Sequence, residues 1–173
     1  MNKLSYEYEW WSPDPRYQLP PRSTLARLKP IGLDTAYVED LTSYFFRLAD
    51  IHSFSPKSLA KNIIWRETRK NPTSGSGYGY TVWNKPSFNG IGKVPFTWTK
   101  LMTYFTKADN LDQLTFSSLN SFLPSKRLMS RKKRWCPLCY DEYNISHQLY
   151  SQLIWDVETI STCPKHGIKL VKI

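Results

Sequence analysis

From Val38 the chain reads VEDLTSYFFRLADIHSF, and Val38, Leu41, Tyr44, Phe45, Leu48 and Ile51 recur at spacings of three and four. That recurrence predicts a helix with one apolar face. In the following SFSPKSLAKNIIWRET, Ser55 suits an N-cap and Pro56 the first helical position, so a second helix is predicted after a tight turn. The pair reads as a helix-turn-helix, with Lys57, Lys61, Arg66, Arg69 and Lys70 on or just after its second helix. An ordinary helical hairpin with solvated lysines has the same pattern. Helical spacing returns in FTWTKLMTYFTK, through Phe96, Leu101, Met102 and Phe105, and in LDQLTFSSLNSFL, through Leu111, Leu114, Leu119, Phe122 and Leu123. Pro124 is expected to end the latter.

Two stretches break this periodicity. Residues 1–37 carry Pro13, Pro15, Pro20, Pro21 and Pro30, which favour extended structure, together with Tyr6, Tyr8, Trp10, Trp11 and Tyr17. So many rings predict an arm that packs on its own body or on a partner. Residues 71–95 hold five of the seven glycines and three prolines, and read as a loop or short hairpin. The GSGYG run within them lacks the Lys-Ser/Thr ending of a phosphate-binding loop.

The expected fold is therefore mainly α: an arm over 1–37, a helical domain over 38–124 and a smaller unit over 125–173. At 173 residues and 40% hydrophobic content, a packed core is affordable. No apolar run reaches the roughly 18 residues that span a bilayer, and the N-terminus lacks an apolar signal core, so a cytoplasmic protein is expected. The 24 Lys and Arg against 14 Asp and Glu give a net charge of +10, which favours polyanionic partners. Much of the surplus is local. SKRLMSRKKRW places Lys126, Arg127, Arg131, Lys132, Lys133 and Arg134 within nine positions, a crowding that a phosphate backbone would relieve. A solvated linker is the plain alternative.

All three cysteines lie in the last 40 residues, in the pattern C-x2-C-x23-C-x2-H formed by Cys136, Cys139, Cys163 and His166. Ligands two residues apart form tight knuckles that aim both side chains at one tetrahedral ion, and thiolate with imidazole is what zinc prefers. A thioredoxin-like dithiol would need an apolar strand where the basic run stands, and would leave CPKH unexplained. Haem attachment needs His after the second cysteine, where Tyr140 stands. An odd cysteine count argues against a disulfide framework. One structural Zn2+ is expected, with His147 as a substitute ligand.

Three stretches together resemble the TniQ/TnsD family of transposition target-selection proteins: EDLTSYFFRLADIHSFSP, RWCPLCYDE, and Trp155 followed by CPKHGIKL, in the family's order. The resemblance implies a helical domain with a helix-turn-helix, then a zinc finger whose ligands map onto Cys136, Cys139, Cys163 and His166. It implies a bacterial, non-catalytic adaptor that reads DNA or joins an RNA-guided CRISPR effector and recruits the AAA+ ATPase regulator TnsC. The basic stretch, with Lys57, Lys61 and Arg66, is then expected on DNA or guide RNA. The arm residues Tyr6, Trp10, Trp11 and Tyr17 are expected on the ATPase, and self-association stays open. Two features depart from the family pattern: Asp40 where Ser is common, and a chain that stops seven residues after His166 where many relatives continue. A minimal adaptor and a truncated form both fit. A zinc-containing transcription regulator is the alternative function; a metal-dependent nuclease ranks third, because catalytic zinc needs a vacant position.

Overall fold

The computed structural model describes residues 22–62, 88–124, 126–146 and 148–172, and these are mainly helical with little sheet. Helix α1, Leu41–Ile51, starts where Asp40 takes an extended conformation and its carboxylate accepts the Ser43 amide at 2.6 Å. It buries Leu41, Tyr44, Phe45 and Leu48 as the periodicity predicts, with Thr42 and Ala49 between them. Val38 lies before the helix, and its carbonyl accepts the Leu153 amide at 2.9 Å. Ile51 is 54% exposed, because the helix ends there and Ser53 turns the chain with a φ of 54°.

Residues 56–62 form helix α2, whose N-terminus is capped by Ser55 Oγ accepting from the Ser58 amide at 3.1 Å. Leu59 and Ala60 join the core, while Lys57 and Lys61 are exposed. Arg66, Arg69 and Lys70 lie outside the described residues, as do most of the predicted 71–95 loop and the arm residues Tyr6, Trp10, Trp11 and Tyr17. The described end of the arm, from residue 22, runs against the helices. Thr24 and Leu25 both donate to the Phe105 carbonyl, and Tyr44 Oη donates to Leu28 O at 3.0 Å. At Gly32, with a φ of 69°, an added Cβ would sit 2.7 Å from Tyr37 O, so this turn requires glycine.

Helix α3, Lys93–Thr106, corrects two expectations. It begins inside the predicted loop, since Pro95 in the first turn has no amide to leave unpaired. Its buried face is set by Trp98, Met102 and Phe105, while Phe96 is 52% exposed under the Lys100 ammonium. Trp98 meets Phe45 and Phe88 edge-to-face, with centroids 5.6 and 4.9 Å away, and this trio is the aromatic centre of the core.

The single helix predicted over 111–123 is instead two short 3-10 helices, Leu111–Leu114 and Phe116–Leu119. Thr115 between them is extended and caps the second, its hydroxyl accepting from the Ser117 amide at 3.2 Å. Leu119 and Phe122 are consequently exposed, the latter by 83%.

The C-terminal half folds back onto α1. Residues 128–130 run beside 156–158, with Ser130 N donating to Asp156 O at 2.7 Å and Glu158 N to Leu128 O at 2.8 Å. Strand β1, Arg134–Trp135, pairs antiparallel with β2, Val171–Lys172, and α4, Pro137–Ser146, follows β1 with proline at its first position. A third 3-10 helix, Leu153–Asp156, packs between the two halves. Around it, Glu39 bridges Gln152, Ser43 Oγ accepts the Ser151 amide at 3.0 Å, and Asn89 joins Thr42 to Asp156.

Candidate functional site

Cys136, Cys139, Cys163 and His166 converge, with all ligand atoms within 4.8 Å of one another. Two local turns bring them together. Cys136 precedes α4 and Cys139 lies in its first turn, where the Tyr140 amide donates to Cys136 O at 3.1 Å. In the second knuckle the Gly167 amide donates to Cys163 O at 2.8 Å, with Gly167 at a φ of 66°.

The edges of the cluster are informative. His166 Nδ1 lies 3.4 Å from the sulfurs of both Cys136 and Cys139 and 3.7 Å from Cys163, and Cys139 Sγ lies 3.7 Å from Cys163 Sγ. Zinc–sulfur bonds of about 2.3 Å and zinc–nitrogen bonds of about 2.0 Å, arranged tetrahedrally, require edges of about 3.8 Å between sulfurs and about 3.5 Å from sulfur to nitrogen. These four of the six edges match. They are far beyond the roughly 2.05 Å of a disulfide, and all three cysteines are free thiols. The four residues are thus able to hold one metal ion.

The electrostatics of the cluster favour a cation. Burial, then hydrogen bonding and charge from Cys163 and Cys136, pushes the Cys139 thiol far above its usual range. At Cys163 burial also acts upward, but hydrogen bonds from the His166 and Lys165 backbone and the His166 ring hold the thiol down at about 7. Hydrogen bonding to Cys163, then to Glu142, raises His166. Three thiolates cannot share this volume without a positive charge among them, which a divalent ion would supply.

Two residues that sequence reasoning missed support the cluster. Glu142 Oε1 lies 3.1 Å from His166 Nε2, so in the tautomer with the proton on Nε2 it accepts a hydrogen bond from that N–H and Nδ1 faces the sulfurs with its lone pair; its other oxygen pairs with Lys165. Gln152 Nε2 donates to Cys139 Sγ at 3.8 Å and to Tyr143 Oη at 2.6 Å. Glu142 had a faint signal, one helical turn past Cys139. Gln152 had none, because only the tertiary junction brings it near. His147 lies outside the described residues.

Packed around the cluster are Trp155 and Leu170, both buried, with Trp135 stacked on Tyr140 at 5.0 Å. The model of the TniQ family matches residues 30–170, a span that takes in α1, the basic run and all four side chains of the Cys3His cluster. The chain belongs to the TniQ family. Membership ties it to target selection in DNA transposition, and TniQ proteins are adaptors associated with the transposition machinery and DNA. No curated protein matches the chain.

In this TniQ chain the basic run divides. Lys126, Arg127, Arg131, Lys132 and Lys133 are exposed, whereas Leu128 and Ser130 are buried and fasten the loop to 156–158. Arg134 corrects the expectation of a phosphate contact. It is 1% exposed, and its guanidinium donates to the carbonyls of Val157, Glu158 and Ile160, clamping β1 to the 157–160 segment. A side chain so used has no donors facing solvent with which to reach DNA. No helix among the described residues is long and apolar enough to cross a membrane.

Proposed function

We propose that this chain is a non-catalytic target-selection adaptor, holding target DNA or an RNA-guided CRISPR effector and recruiting a TnsC-type AAA+ ATPase regulator. The observation that carries this reading is the family match across residues 30–170. One structural Zn2+ is assigned to Cys136, Cys139, Cys163 and His166, since three thiolates and an imidazole fill a tetrahedral shell and leave no position for water. The ion fixes segments too short to bury enough surface alone. Lys126, Arg127, Arg131, Lys132 and Lys133 are assigned to phosphates, giving binding with little sequence preference and strong salt dependence.

The α1–α2 pair is read as the helix-turn-helix, with Lys57, Lys61 and Arg66 assigned to nucleic acid. The arm with Tyr6, Trp10, Trp11 and Tyr17 is assigned to the ATPase. The test is co-sedimentation of the zinc-loaded chain with the TnsC-type ATPase, with and without nucleotide and DNA. Retention on ATPase assemblies is expected. No association under any condition, with tight operator-like DNA binding by the chain alone, would move the assignment to a transcription regulator.

A further inference from the structure

Between α1, the 127–133 loop and residues 149–151 lies a concavity of about 1610 Å³. Two kinds of chemistry line it. Arg127, Arg131, Lys132 and Lys133 supply positive charge, and Leu149 and Tyr150 supply apolar surface and a ring. The four cations are exposed and form no ion pair among the described residues. Of the acids in the lining, Asp40 is buried and occupied in capping α1, which leaves Glu158 as the exposed one.

Both parts are fixed in advance. The basic loop is pinned by the buried Leu128 and Ser130 through their backbone bonds to Glu158 and Asp156, so its charges ride on an ordered backbone. Tyr150 is half-buried and stacks on Tyr143 with centroids 4.3 Å apart and planes 26° from parallel; Tyr143 Oη in turn accepts from Gln152 beside the metal-binding cysteines. Little ordering remains to be done on binding.

The mixture of charge and ring discriminates between polyanions. A duplex presents phosphates but keeps its bases stacked on one another, so it draws nothing from a tyrosine in a concave wall. An acidic peptide would use the cations and leave the ring idle. An unpaired strand offers phosphates and free base faces together. We infer that this concavity binds single-stranded nucleic acid, with phosphates along Arg127, Arg131, Lys132 and Lys133 and a base on Tyr150. The inference rests on the adaptor reading and narrows its polyanion to an unpaired strand.

Fluorescence anisotropy on the zinc-loaded full chain tests it, using labelled single-stranded DNA and RNA of about 12 nucleotides, the matching duplex and a polyglutamate peptide. The single strands are expected to bind about tenfold or more tighter than the duplex at equal salt, and the peptide more weakly still. Tyr150→Leu, which keeps apolar bulk, should abolish that preference while leaving the salt dependence unchanged. Lys132→Ala combined with Lys133→Ala should weaken every nucleic acid and lower the salt slope by about two. Equal or tighter duplex binding, preference for the peptide, or an unchanged preference in Tyr150→Leu would each overturn the inference. Duplex binding at least as tight as that of the single strands, and lost in the lysine variant, would leave the adaptor reading standing while ending the single-strand assignment. Recruitment by the ATPase with no nucleic acid bound at all would end the phosphate contacts of both.

Discussion

His166 faces three sulfurs through one ring nitrogen and a carboxylate through the other, and that division of labour is open to a single-atom test. Glu142→Gln removes the carboxylate charge and leaves at best a weaker, neutral amide oxygen to hold the proton on Nε2. Zinc affinity is expected to fall about 10- to 100-fold, read by competition with a chromophoric chelator, while the fold at saturating zinc is unchanged. Arg47 poses the opposite question, because its partner Glu39 is fully buried. Burial raises the Glu39 carboxyl, against the hydrogen bond and charge of Arg47 that lower it. A raised folded value means that Glu39 contributes stability below its unfolded pKa and that this is lost as pH rises through the folded one. In Arg47→Met the charge loses its cation, and denaturant unfolding at pH 7 should show a loss of about 3 kcal/mol. That loss should shrink as pH falls through the folded Glu39 value, where the carboxyl becomes neutral.

At the scale of elements, the junction of α1 with the Leu153–Asp156 turn is a buried polar seam. Asn89 Oδ1 accepts from the Thr42 hydroxyl at 2.9 Å and its amide donates to Asp156 Oδ2 at 2.7 Å. Asn89→Asp keeps the shape but sets two carboxylates together, so a loss of about 3 kcal/mol is expected, read as a fall in Tm of several degrees. These contacts were invisible in the sequence, since Asn89 and Asp156 are far apart in it and neither sits in a motif. Helix α1 was legible because its apolar residues fall on one stripe and Asp40 stands ready to cap it. In α3 rings occur on both faces, Phe96 and Tyr104 on one side and Trp98 and Phe105 on the other, so periodicity found Met102 and Phe105 on the buried face but added the exposed Phe96 and missed Trp98. Over 111–123 the leucine spacing looked helical, yet the Thr115 hydroxyl bonds the backbone at Asp112 and Ser117, and the structure breaks there into two short turns. The convergence of Cys136, Cys139, Cys163 and His166 was the most legible of all: each pair is made by a local turn, and turns are written in short sequence.

Across the whole molecule, the Cys3His cluster, the basic loop and α1 are linked in series. Gln152 touches Cys139 and Tyr143 through its side chain and Glu39 through its backbone, and the basic loop hangs on the neighbouring residues 156–158. Removing zinc with a chelator is therefore expected to cost more than local order: Tm should drop, and single-strand binding should weaken as the loop loses its support. Restoring zinc should recover both. Lowering the pH should act in the same direction, because the ligands take up protons in competition with the ion. The central claim is that one closed Cys3His shell holds the C-terminal half of the molecule in shape. X-ray absorption at the zinc edge on the purified full chain tests it most directly. The account predicts one zinc per chain, with three sulfurs at about 2.3 Å, one nitrogen at about 2.0 Å and no water oxygen. A shell with fewer sulfurs or a bound water, or a folded chain that takes up no zinc, would contradict it.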